Sequence, residues 1–386
     1  SDFETRTTRN NTRMSATPAE LPRMKKEILE QFMVDVLKAK GVPEEDAKTC
    51  GRVLIAADMR GMDTHGIQRL KLIYYDRICE GRLNPVTNFE IVNETPTTAV
   101  VDGHNGMGMV VSVRCMQMAI DKAKKNGLGL VVARNSTHFG IAGYYSLMAA
   151  EQGCIGFCGT NARPSIAPTW SIQPMLGTNP LVFAFPSDEP FPWCLDCATS
   201  AVQRGKIEMY GREGKAIPEG WVIGNDGKYR TDTQQILKDL VVGKAACLPL
   251  GGAGEDTAGY KGYGYGMLVE IMSSCLQAGN YMHALTGLDK DGKKCPIELG
   301  HFFLAIDITA FRDLEGFKHQ VGDICREIRA AKKAPGAERI WVPGEKEYEC
   351  TLERTEKGIA ITPGLQKEMV ELRDTLKLDY HFPWEQ

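Results

Sequence analysis

No apolar run in this chain approaches the roughly 18 residues that a membrane-crossing helix needs, so no membrane partner is expected. Charge of one sign is also missing: 46 Lys+Arg stand against 49 Asp+Glu, a net charge of −3, which gives no footprint for nucleic acid. The opening stretch, residues 1–22, is polar and has no apolar core of the kind a signal peptide carries. It is read as a leader outside the fold, with Met14 a candidate native start. Catalytic signatures are absent too. The sequence contains no G-x-G-x-x-G, no G-x-x-x-x-G-K-[ST], no H-E-x-x-H and no G-x-S-x-G. The usual dinucleotide fingerprint is therefore missing.

Cysteine is not scarce, but paired cysteine is. The twelve cysteines lie scattered through apolar segments and read as reduced, buried thiols of a cytoplasmic protein. Cys194 and Cys197 form a lone C-x-x-C with no second pair at zinc-binding spacing, so no metal is expected. The sequon Asn135-Ser136-Thr137 is discounted because no secretion signal precedes it.

What is present is a change of texture along the chain. Met24, Ile28, Phe32 and Val36 recur four apart and predict an amphipathic helix, a second follows Pro43, and a third is expected over 66–79. From about residue 88 short apolar runs take over ("TAVVDG", "LGLVVAR", "CIGFCGT", "LVFAFP", "WCLDCA", "HFFLAIDI"), which have buried-strand character. "YGYGMLVEIMSSCLQAG" reads as a buried helix, and beyond Phe311 the chain turns helical again. The Gly-rich, polar stretch 211–260 is expected to be loops beside a site. The fold class is α/β (α+β), with 88–311 as the sheet domain and 23–87 with 312–386 as a helical domain built from both ends.

Four stretches could carry chemistry. In "DTHGIQR" a helix starting near Thr64 puts His65 in its first turn and Arg69 one turn later on the same face. The dipole there keeps His65 neutral, ready to take a hydroxyl proton, and the Arg69 fork suits a carboxylate. A capped helix with a surface His and Arg fits equally. "NSTHFGIAG" (135–143) puts polar groups and glycines at a strand-to-helix junction, suited to phosphate or cofactor, or to ordinary capping. "WCLDCATSAVQRGK" buries Asp196 in an apolar run, where it needs a partner, with Arg204 and Lys206 about two turns on. "AGYKGYGYG" sets Lys261 among glycines at a helix start, either a pyrophosphate cradle or a flexible loop. "RIWVPGE" carries Arg339 and Glu345 around a turn and says little alone.

In this order, "THGIQR", "NSTHFGIAG", "GTNPLVFAFP", "LDCATS…RGK", "GYKGYG" and "RIWVPGE" resemble the type-2 malate/L-lactate dehydrogenase family, from about Lys25 to Thr375. That family also holds sulfolactate, ureidoglycolate and diketogulonate enzymes and an imine reductase. The resemblance implies a nicotinamide oxidoreductase on a non-Rossmann fold with a largely antiparallel sheet, acting as a homodimer on a 2-hydroxy or 2-keto acid, malate first. It implies catalytic roles for Thr64, His65, His138 and Lys206, with His65 ranked first as the acid/base. Substrate contacts are implied for Arg69, with Arg163 and Arg204 as candidates for the second carboxylate of a dicarboxylate. Cofactor contacts are implied for His138, Phe139, Gly140, Asn161, Asp196, Cys197, Ala198, Lys261, Gly262, Arg339, Gly344 and Glu345. The family's usual serine is replaced here by Thr64, which keeps the hydroxyl, and Lys206 is acidic in the imine reductase, which favours a hydroxy-acid enzyme. NAD is the expected cofactor, with NADP open; Asp188 is a candidate for a ribose 2′-hydroxyl.

Overall fold

Strand β4 (Leu128–Ser136) lies inside a seven-stranded sheet and shows why the chain folds as it does. Successive side chains of a strand point to opposite faces. Val131 and Ala133 join one core cluster, whereas Val132 and Leu130 join another on the opposite face. A computed structural model describes residues 21–385 and places helices on both faces; the expected leader falls almost wholly outside these residues.

The N-terminal part runs β1 (Arg23–Met24), α1 (Lys26–Ala39) and α2 (Glu44–Met59), then an irregular segment ending in the short α3 (Asp76–Cys79). The sheet is built from β2 (Glu90–Glu94), β3 (Thr98–Asp102), β4, β5 (Cys154–Thr160), β6 (Leu181–Phe185), β7 (Trp193–Cys197) and β10 (Leu299–Asp307), in spatial order β2-β3-β4-β10-β5-β6-β7. Only β3–β4 pair in parallel; the other pairs are antiparallel. The parallel pair is joined through α4 (Gly108–Asn126), which crosses over the sheet and stops at Gly127. Helix α5 (Gly143–Glu151) shares the same apolar cluster as α4. On the opposite face lies α8 (Gly259–Ser274), so close to β10 that a Cβ on Gly300 would sit 1.6 Å from the Ser273 carbonyl oxygen.

Between β7 and α8 the chain forms α6 (Arg204–Arg212), β8 (Val222–Gly224), α7 (Thr233–Val241) and β9 (Ala245–Cys247). Ile207, Ile217, Val222, Ile236 and Cys247 give this segment its own small core, so 211–260 is folded structure where the composition suggested loops. The C-terminal part is α9 (Leu314–Ala330), α10 (Glu345–Lys357), β11 (Ile359–Ala360) and α11 (Pro363–Leu376). It meets the N-terminus directly: Met24 pairs with Ile359, and Leu365, Met369 and Leu372 join the cluster that holds Leu29, Phe32 and Val36. That cluster runs on into β4, α4 and α5 without a break.

Three details differ from the sequence reading. The buried face of α1 is Leu29, Phe32, Met33 and Val36; Ile28 is exposed, and Met24 is buried but lies in β1, ahead of the helix. The expected buried helix α8 exposes Tyr265, Met267, Leu268 and Ile271. The expected helix over 66–79 is broken into two 3-10 turns (Asp63–His65 and Ile67–Arg69), a π-helical stretch (Leu70–Tyr75) and α3.

Candidate active site

Asp58 explains the break. It is buried at the end of α2, and its Oδ2 accepts the Ile67 N–H at 2.8 Å. A Cβ at residue 66 would lie 2.0 Å from Asp58 Oδ1, so only glycine lets the backbone close on this carboxyl. Burial, then the charge of Asp63, holds the Asp58 carboxyl up at about 8 against the Ile67 N–H and Arg354, which lower it. Arg354 of α10 donates to the Asp58 carbonyl and to both Asp63 carboxylate oxygens, Oδ2 at 3.1 Å. The turn bearing His65 is therefore clamped from both ends of the chain.

On this frame the two histidines meet. His65 and His138 stack with ring centroids 5.9 Å apart and planes 24° from parallel. His65 Nδ1 lies 2.9 Å from Thr64 Oγ1. His65 is not in the first turn of an α-helix, so the dipole argument does not apply; burial, then Arg69, push its imidazole down to about 4. His138 follows β4, and its Nδ1 is 2.7 Å from the hydroxyl of the fully buried Tyr74 and 3.3 Å from the Gly140 N–H, which donates to it. An N–H donor requires Nδ1 to be an acceptor, so the neutral His138 carries its proton on Nε2. Burial, then His65, Arg69 and Arg77, hold His138 well below its ordinary range.

Arg69 sits beside this pair, with its Nε donating to the Thr64 carbonyl and no ion pair among the described residues. The start of α6 closes on the same turn: a Cβ on Gly205 would lie 2.8 Å from Thr64 Cγ2. Lys206 and Arg204 flank that contact. Lys206 is exposed, its Nζ 5.7 Å from the Tyr210 ring centre, whereas Arg204 is exposed and paired with Glu208 at 2.9 Å. Arg163 is exposed and near enough to Arg77 to depress it.

The other sequence candidates sit differently. The Asp196 carboxylate accepts the Gly143 N–H at 2.9 Å at the start of α5, and burial raises it; its partner is a backbone amide. Cys197, half-buried, has its thiol pushed up by burial and then by Asp196, and Ala198 follows as the chain leaves β7. Phe139 is buried and stacked 4.6 Å from His301, and Gly140 lies against Val53. Asn161 is fully buried with its amide spent on the Asn280 carbonyl (3.0 Å) and the Gly300 N–H (2.9 Å). Lys261 is exposed in the first turn of α8, but Gly262 closes on Leu250, where a Cβ would lie 2.2 Å from the carbonyl oxygen. Arg339 pairs with Glu349 and with the buried Glu345, which also accepts the Val342 N–H, and Gly344 opens α10 at φ +93°. Asp188 is held by Arg326 and His319 on the surface. Among the described residues, no group of three or more His, Cys, Asp or Glu is placed to hold a metal ion.

Sequence reasoning missed Tyr74, Arg77, Asp58 and His301. Arg77 had a signal, two helical turns beyond Arg69. Tyr74 had none, because its partner lies 64 residues away. His301, between Thr160 Oγ1 (2.7 Å) and Ser136 Oγ (2.8 Å), is a pin beneath Phe139 that only the strand pairing reveals.

The model of the malate/L-lactate dehydrogenase family matches residues 24–370. The chain belongs to that family. A malate dehydrogenase of Pyrococcus horikoshii is 44% identical to this member over 91% of its chain and 94% of the relative. An L-sulfolactate dehydrogenase of Methanocaldococcus jannaschii is 37% identical over 92% and 98%. In three dimensions this dehydrogenase-family chain superposes on the crystal structure of malate dehydrogenase from Entamoeba histolytica with a TM-score of 0.91 at 47% identity, covering 94% of this chain and all of that one.

Proposed function

We propose that this member of the family interconverts a 2-hydroxy acid and its 2-keto acid, malate and oxaloacetate first, with a nicotinamide dinucleotide as redox partner. The observation that carries the reading is the stacked, neutral pair His65–His138 beside Arg69, which has no carboxylate partner among the described residues. Similarity to malate and sulfolactate dehydrogenases supports the same substrate class. The exposed Lys261 in the first turn of α8 fits a dinucleotide, since it has no carboxylate partner among the described residues. The bound nicotinamide supplies the hydride acceptor.

Arg69 grips the C1 carboxylate through its fork. His138, with its Nδ1 held by Gly140 and Tyr74, presents an Nε2–H to the substrate oxygen and orients it. His65 takes the hydroxyl proton: the Thr64 hydroxyl can accept from its Nδ1–H, which leaves Nε2 as the base. Burial is the larger cause of the depressed His65 and Arg69 the smaller; a carboxylate on Arg69 offsets the smaller one. Lys206 stabilises negative charge on the oxygen.

We further propose a homodimer using the exposed face of α8, where Tyr265, Met267, Leu268 and Ile271 present an apolar surface. Twelve free cysteines, many of them buried, support a reducing, cytoplasmic location. The sheet unit and the helices from both chain ends are read as two domains sharing one core. The test is a panel of oxaloacetate, pyruvate and sulfopyruvate, each with reduced NAD and reduced NADP. The expected result is oxidation of one or both cofactors by oxaloacetate, slowed by about 10²-fold or more in His65→Ala. No turnover of any 2-keto acid with either cofactor sinks the reading.

A further inference from the structure

The site holds more positive charge than one carboxylate requires. Arg77 lies on α3, three residues after Tyr74 at the end of the π-helical stretch, and its charge acts on both Tyr74 and His138. Tyr74 touches His138 through its hydroxyl, so the chain leads from the histidine pair to Arg77 within three residues. Arg77 is half-buried, yet it has no ion pair and no side-chain hydrogen bond among the described residues. Several other half-buried arginines are engaged, Arg82 with Glu80, Arg134 with Asp102, Arg354 with Asp63 and Arg373 with Glu385, whereas Arg60, before the histidine turn, also lacks a partner among the described residues. Burial, then the like charge of Arg82, depress Arg77, and the exposed Arg163 adds to this from the loop after β5. A desolvated guanidinium facing another cation is costly unless an anion joins them.

We propose that Arg77, backed by Arg163, is the specificity-determining residue that receives the distal anionic group of the substrate, so that the site selects dianionic 2-keto and 2-hydroxy acids over monoanionic ones. The inference rests on the reading of Arg69 as the clamp for the C1 carboxylate. It moves the second-cation role away from Arg204, which Glu208 already holds on the surface. The distal group can be a carboxylate or a sulfonate, because both offer the oxygen pair that a guanidinium fork grips. A monoanionic acid leaves Arg77 desolvated and unanswered, and a site built around such a group rejects the substrate that lacks its partner.

The experiment compares kcat/KM for oxaloacetate, sulfopyruvate and pyruvate in the parent, Arg77→Gln, Arg77→Lys and Arg163→Gln, at saturating reduced cofactor. In Arg77→Gln, kcat/KM for the two dianions is expected to fall by about 10²-fold, mostly through KM, while pyruvate changes less than about twofold. Arg77→Lys keeps the charge but not the fork, and should recover part of the loss for both dianions. Arg163→Gln should cut the dianions by about tenfold or less and leave pyruvate alone; it also serves if Arg77→Gln does not fold. An equal loss for pyruvate and oxaloacetate, or a raised KM for cofactor with substrate preference intact, overturns the assignment. Failure of the underlying reading is separate: there the parent itself turns over no 2-keto acid, or Arg69→Lys leaves all three substrates unaffected.

Discussion

Replacing Gly66 with alanine should damage stability and turnover together, through one identifiable contact. The added Cβ would lie 2.0 Å from Asp58 Oδ1, 2.2 Å from Cγ and 2.4 Å from Oδ2, so the whole carboxyl group must leave. Asp58 is buried, so it has little room to move and would surrender the Ile67 N–H that it accepts at 2.8 Å. Overpacking and a buried polar group left unpaired together cost about 2–5 kcal/mol. The displaced backbone carries His65 on one side and Arg69 on the other, and a misplacement near 1 Å can lower kcat by about 10²-fold. A double-mutant cycle isolates the contact. Asp58→Ala removes the three atoms in the way, so Gly66→Ala in that background should cost less than about 1 kcal/mol in chemical denaturation. If Gly66→Ala costs the same in both backgrounds to within about 0.5 kcal/mol, the carboxyl does not fill that space and the account of the broken helix is wrong.

His65→Ala should lower kcat by about 10²-fold or more with cofactor affinity nearly intact; His138→Ala should retain more turnover but lose substrate orientation, and the reverse ranking in steady-state kinetics would exchange the two roles. Treatment with a chelator should leave activity unchanged, and loss that one divalent ion restores would contradict this. Stability should fall as pH drops, because His65 goes from an ordinary 6.5 to about 4 in the folded chain and His301 to about 3. The unfolded chain therefore binds more protons across that window, and denaturation midpoints that stay level from pH 6.5 to 4 would rule the effect out. Asp58 acts in the opposite sense: raised to about 8, it contributes stability that is full below its ordinary 3.8 and lost as pH rises through about 8, so Asp58→Asn should flatten the alkaline limb.

What was legible in the sequence followed local rules. The strands from β4 to β7 and β10 were readable as apolar runs, α4 from its stop at Gly127, and α11 from Pro363 in its first turn. His65, His138 and Arg69 were readable because each sits in a short pattern whose chemistry is particular. The broken segment after Gly66 was not legible, since its cause is a carboxyl eight residues back whose burial depends on the tertiary fold. The partners of Asn161, at Asn280 and Gly300, were not legible because they lie 119 and 139 residues further along the chain. The partners of Asp188 were hidden for the same reason, as they come from α9, more than 130 residues later.

The clamp of Arg354 on Asp63 spans 291 residues of chain. During synthesis at roughly 5–20 residues per second, the turn that carries His65 therefore leaves the ribosome on the order of 15–60 s before its guanidinium partner exists. For that interval Asp63 has no Arg354, and β1 has no β11 to pair with. The histidine turn is thus completed last although it is made early, and a nascent chain cut short before α10 lacks one jaw of its own active site. The order of synthesis and the order of closure thus run in opposite directions for this turn.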